Sequence, residues 1–165
     1  MTNMKRMTAA LSVAAAVVLS ASLYAQAKPN FSGKWIQDAE KTAAANPAMA
    51  GRAGGGGGGG GRMGGGGAPT PQTFTMDATT LKIERTGQDG TVTATVYKLD
   101  GSESKNMARG GEQISKAKID GNKVVIVTTT QNGDQTTSWY MDGEWLVNER
   151  AFGENVIKTY YKKAS

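Results

Sequence analysis

Two residue types are missing altogether: among 165 residues there is no cysteine and no histidine. Without thiols no disulfide can staple the chain, so its stability must come from burial. Without imidazole it lacks the commonest general base and the commonest metal ligand. Aromatic residues make up only 7% of the chain, so each large ring supplies a sizeable share of any core. No long apolar run occurs after Leu19. A helical membrane span in the rest of the chain is thereby excluded as an expectation.

The bases that remain are Asp, Glu, Lys and Tyr. Glu84, Glu112, Glu144 and Glu149 could form an acid/base pair in principle, but no spacing singles out two of them. Asp100-Gly101-Ser102-Glu103 and Asn132-Gly133-Asp134 offer oxygen ligands. Neither has the ligand spacing of a calcium loop, and both are accounted for as hairpin turns. The sequence therefore predicts no catalytic residue, no metal site and no cofactor.

The first 27 residues read as an export leader. Lys5 and Arg6 precede an Ala-, Leu- and Val-rich stretch from Met7 to Leu19, and Ala25-Gln26-Ala27 supplies an A-x-A cleavage signal. The apolar stretch is shorter than the roughly 20 residues that cross a bilayer. Its compactness points to a bacterium, with a mature chain that starts at Lys28 and works in the periplasm or beyond it. Losing Lys5 and Arg6 lowers the formal charge from +5 by two, to about +3. That mild, dispersed excess argues for solubility and not for a nucleic-acid partner.

What the remaining chain does contain is a beat. Asp89-Gly90, Asp100-Gly101, Gly110-Gly111, Asp120-Gly121, Asn132-Gly133, Asp142-Gly143 and Gly153-Glu154 recur about every 10 to 12 residues. Between them lie runs rich in Thr, Val, Ile, Tyr and Trp, the residues of half-buried strands. Thr91 to Val96 alternates, with Val92, Ala94 and Val96 on one face and threonines on the other. Ahead of these runs, Asn30 to Asp38 reads as a first strand, and Ala39 to Met49 supports one or two helical turns.

Between them and the meander stands a tract with eight consecutive glycines, Gly54 to Gly61, and four more, Gly64 to Gly67. Such a tract has no side chains to bury, so it reads as a flexible loop within an insertion spanning 39–71. It lacks the closing Lys-Ser or Lys-Thr of a phosphate loop. Arg52 and Arg62 alone give too few phosphate contacts for nucleic acid.

Nine or ten strands in sequential hairpins leave long edges unless they close. The expected fold is all-β: one domain over 28–165, an up-and-down antiparallel meander curled into a barrel, with the glycine-rich insertion after strand one.

Phe31-Ser32-Gly33-Lys34-Trp35 resembles the G-x-W segment that opens lipocalins and related calycin barrels. Ile157 to Lys163 is similar to their closing strand. The start Asn30-Phe31-Ser32-Gly33 and the hairpin Asp120-Gly121-Asn122 are similar to small exported bacterial lipocalin-like proteins. The lipocalin T-D-Y segment is absent, which places the chain with calycin-like relatives. The resemblance implies that Gly33 and Trp35 form a plug at the narrow end, with Arg150 as the cation stacked on the indole. A barrel of this strand number can hold one small apolar or amphipathic ligand, so a non-enzymatic carrier is expected, with Trp139, Trp145 and Tyr160 as cavity-lining candidates. Small residues that could face inward are Ala94, Thr128, Thr130 and Thr137. The competing expectation is a filled barrel serving as a structural or interaction module of the cell envelope.

Overall fold

A computed structural model describes residues 28–47, 70–87, 89–108, 111–131, 133–152 and 155–165. The predicted leader and the tract Gly51–Gly67 lie outside the described residues. Ten strands and one short helix follow in order: β1 (Gly33–Gln37), α1 (Ala39–Ala45), β2 (Gln72–Met76), β3 (Thr80–Thr86) and β4 (Val92–Lys98), then β5 (Asp100–Ala108), β6 (Gly111–Asp120), β7 (Lys123–Thr130), β8 (Gly133–Asp142), β9 (Trp145–Phe152) and β10 (Asn155–Lys163).

All ten strands pair antiparallel in one sheet of order β4-β3-β2-β1-β10-β9-β8-β7-β6-β5. The first and last strands meet side by side, with Trp35 opposite Lys163 and Gln37 opposite Tyr161. This is the pairing that curls the meander into a nearly closed barrel. The turns explain the glycine beat: Asp120 pairs with Lys123 and Asp142 with Trp145, leaving two-residue loops. Gly121 and Gly143 open those loops at φ of 60° and 62°. Each aspartate is thus the last strand residue, and glycine takes the position whose positive φ disfavours any residue with a Cβ.

One end of the barrel is closed by apolar groups. Phe31, Trp35, Phe74, Leu81, Leu146 and Tyr161 belong to a single buried cluster that continues into Ile83, Ile126 and Trp139. Phe74 meets Trp139 edge-on with ring centroids 5.0 Å apart, and Trp139 meets Tyr161 at 5.6 Å. Trp35 is 2% exposed, and its Nε1 donates to the Phe31 carbonyl at 2.8 Å. Gly33 makes the approach at φ 136°, with its missing Cβ position 3.7 Å from Trp35 Nε1.

The cation over the Trp35 ring is Lys163, with Nζ 5.6 Å from the centroid. The expected Arg150 partner is thereby corrected. The reason is register: Lys163 pairs directly with Trp35, whereas Arg150 sits on β9 opposite Thr137 and Ile157.

Strand β1 is too short to cover β10 along its length, and α1 takes over. Asp38 N–H donates to the Tyr160 carbonyl at 2.9 Å. The Asp38 side chain then caps α1 by accepting from Lys41 N–H. Thr42 and Asn46, four apart and so on one helix face, reach the exposed backbone of β10. Thr42 Oγ1 accepts from Tyr160 N–H at 3.0 Å. The Asn46 amide accepts from Lys158 N–H at 3.0 Å and donates to the Lys158 carbonyl at 2.7 Å. Two side chains thus stand in for the missing half of a strand.

Candidate functional site

Inside the barrel, above the aromatic floor, is a cavity of about 540 Å³. Its depth is lined by Ile83, Ile126, Trp139 and Tyr97. Its mouth carries the exposed residues Thr86, Met107 and Gln113. Between the two levels the wall is hydrogen-bonding, with Thr93, Thr95, Ser115, Thr128, Gln135 and Thr137 all lining it. Ser115 and Thr128 hydroxyls bond one another at 2.8 Å across β6 and β7. The interior is therefore hydroxyl-rich above and apolar below.

Two arginines, Arg85 and Arg150, line the cavity, and no Asp or Glu is among its lining residues. The ion pairs seen among the described residues join lysines to carboxylates and involve neither arginine. Arg85 Nε donates to Gln72 Oε1 at 3.1 Å. Burial pushes the Tyr97 and Tyr161 phenols above their ordinary range, while the positive charges of Arg85 and Arg150 pull both back. Both guanidinium charges thus bear on one pair of phenols.

Strand β9 contributes the least expected groups. Alternation puts Leu146, Asn148 and Arg150 on its inner face. Asn148 is 3% exposed and lies opposite Trp139. Asn148 Nδ2 and Arg150 Nε are both buried, and neither has an acceptor among the described residues. The sequence carried a signal for them, since both are in phase with Leu146. A charged residue in phase with a core leucine is easily assigned to the solvent face instead.

Of the residues singled out from the sequence, Trp139 does line the cavity. Trp145 and Tyr160 do not, and that expectation is corrected. Each alternates with a core residue, Leu146 and Tyr161, so each points outward. There they form a separate aromatic box around Lys41 of α1, whose Nζ lies 4.7 Å from the Trp145 ring and 5.0 Å from that of Tyr160. Thr128 and Thr137 face the cavity. Thr130, at the mouth end of β7, donates to the Gly133 carbonyl. Ala94 is exposed, as are its strand neighbours Val92 and Val96, at 59% and 40%. On β4 it is Thr93 and Thr95 that face in, because their register places them opposite Arg85 and Ile83, which line the same cavity.

No protein-family model matches the chain, and no curated protein matches it in sequence. Solved structures do match it in fold. The REP1-NXSQ fatty acid transporter aligns at 18% identity with a TM-score of 0.56, covering 81% of this chain and 96% of its own. Wild-type fluorescent protein UnaG aligns at 18% identity and TM-score 0.56, covering 81% and 97%. A Schistosoma mansoni fatty acid binding protein, solved with arachidonic acid, aligns at 15% identity and TM-score 0.56, covering 82% and 96%. Together with the nearly closed ten-stranded antiparallel sheet, these likenesses establish the calycin-like barrel as the fold of this chain.

Proposed function

We propose that this chain is an exported, non-enzymatic carrier that holds one small amphipathic ligand inside its barrel. The observation that carries the reading is the cavity of about 540 Å³ beneath a polar mouth, walled by hydroxyls and floored by Trp139 and Ile126. Cavities of this size, with a few polar groups above an apolar base, suit small-molecule ligands. The fold neighbours that bind or carry fatty acids lend support by analogy of architecture. The filled-barrel alternative, an envelope module acting through its outer surface, is disfavoured by that same space. Export rests on the leader read from residues 1–27, and the absence of His and Cys supports the non-enzymatic part.

Native mass spectrometry of the protein purified from its own host tests the reading. Adducts of small-molecule mass that dissociate on activation are the expected result. A bare chain mass, together with no displacement of a fluorescent fatty acid by any host extract, would point to the envelope module instead.

A further inference from the structure

We infer that the cavity takes its ligand apolar end first, and that the ligand's head is an uncharged polyol held at the level of Ser115, Thr128 and Gln135. The inference rests on the carrier reading and names the ligand class for that cavity.

Strand register sorts the inner wall into levels. Just above the aromatic floor, Ala117 and Ile126 stand opposite one another on β6 and β7, and Ile83 of β3 lines the same cavity. Two residues nearer the mouth on each strand, Ser104, Ser115, Thr128 and Gln135 stand in register across β5 to β8. Directly opposed side chains on one face lie about 5 Å apart. The 2.8 Å bond between the Ser115 and Thr128 hydroxyls shows that members of this row touch. Asn106 and Gln113 follow above it, again opposite one another. Carbon thus lines the lower level, and hydroxyls and amides line the upper ones across four strands.

The upper row holds no ionisable side chain. Hydroxyls and amides both donate and accept, so they complement a group that does the same. A sugar or polyol does so, whereas a carboxylate only accepts and an ammonium only donates. Ser115 and Thr128 share one bond, and the cavity-lining side chains of Thr95, Gln135 and Thr137 have no partner among the described residues. An alkyl chain at that level would strip these groups of water and return no hydrogen bond. One level down, at Ile83 and Ile126, the same chain meets carbon and costs nothing of the kind. The ligand is oriented by this change of polarity, with a short apolar end below and a hydroxylated head above.

Isothermal titration calorimetry of the purified protein with octyl β-glucoside, octanoate and octan-1-ol, all below micelle-forming concentrations, tests this. The three share one tail and differ only in the head. Octanoate is the arm that reads the charge of Arg85 and Arg150, which line the same cavity. The glucoside is expected to bind about tenfold tighter than either of the others. In Thr128→Val, which keeps the side chain's shape, and in Gln135→Leu, the glucoside-to-octanol ratio should fall to about one. Intermolecular NMR contacts in the parent should set the octyl methyl against Ile126 and the glucose ring protons against Thr128. If neither variant folds, the parent's order of affinities and these contacts decide. Octanoate or octanol binding as tightly as the glucoside, a ratio that survives both substitutions, or contacts in the reverse order would each overturn the inference. In those cases the carrier reading stands. Failure of all three compounds overturns this ligand class, and the carrier reading falls with it only if native mass spectrometry also finds the cavity empty.

Discussion

Asn106 clasps Val96 across the one junction that the sheet leaves unzipped. Strands β4 and β5 end the ten-strand order and share no backbone ladder. The Asn106 amide accepts from Val96 N–H at 2.9 Å and donates to the Val96 carbonyl at 2.9 Å. Two residues further along each strand, Ser104 Oγ accepts from Lys98 N–H at 2.8 Å. Asn46 does the same for Lys158 at the other weak edge, beside α1. The barrel is thus closed by strand pairing around most of its circumference and by asparagine amides where pairing stops. A primary amide carries a donor and an acceptor at the spacing of a peptide group, which is why asparagine serves at both places.

Asn106→Ala should open this seam without unfolding the barrel. The expected loss is about 1 kcal/mol for two hydrogen bonds at an exposed strand edge. Hydrogen exchange at the Val96 amide should accelerate while amides of β8 and β9 stay protected. Unchanged exchange at Val96 would show that the clasp does not hold the seam in solution.

Asn46→Ala should release the end of α1 from β10. Lys158 N–H then loses its acceptor, and its exchange should speed up by more than that of Tyr161, which pairs with Gln37 of β1. The cost in stability is expected at about 1 kcal/mol. A full collapse of the melting transition would mean that α1 is part of the core, and not a cover over a strand edge.

Trp35→Ala should cost about 3–5 kcal/mol, the range for truncating a buried aromatic. The indole is 2% exposed and packs in the cluster with Phe31 and Leu81. Thermal melting checks this. A variant that melts like the parent would show the closed end to be redundant.

Asp77 should shape the acid limb of stability. Its carboxylate accepts from the backbone N–H groups of Thr79 and Thr80 at 2.7 Å and from both hydroxyls. These bonds, with Thr79 N–H foremost, hold its pKa at about 2, from an ordinary 3.8. The folded value lies below the unfolded one, so the contribution is complete above about pH 4 and is lost as pH falls through 2. Asp77→Asn should therefore flatten the decline of the urea midpoint between pH 4 and pH 2. Carboxyl carbon shifts in an NMR titration report the same group directly.

Ala94→Lys should be tolerated, within about 0.5 kcal/mol of the parent. Ala94 is exposed on the outer face of β4, so the new ammonium meets water. Thr95→Lys on the opposite face would put a third cation beside Arg85 and Arg150 and should lower stability clearly more. Equal melting temperatures for the two variants would contradict the inside-outside assignment of β4.

Local chemistry made most of the architecture legible. Asp-Gly pairs marked hairpins where glycine takes the positive φ that opens a two-residue loop, as at Gly121 and Gly143, whereas Asp100-Gly101 lies inside β5, whose neighbour β4 does not pair with it. β-branched and aromatic runs marked what lies between, and the first strand, expected over Asn30 to Asp38, forms over Gly33–Gln37, with ends that differ by about three residues or fewer. The sequential order of hairpins then implied the meander, and its length implied closure.

Strand period by itself separates two faces and leaves open which one points inward. That choice fell to closure of the ring, and it went against hydrophobicity on β4, where threonines line the lumen and Val92, Ala94 and Val96 face out. It also turned Trp145 and Tyr160 outward onto Lys41, and carried Arg150 away from Trp35 into the cavity beside Asn148. The chain's own residues determined strands, turns and the need for a barrel, since these depend on neighbours within a few positions. Only the three-dimensional ring decided the polarity of its interior, because groups distant in sequence, from β3 to β9, must share one enclosed space before water is shut out.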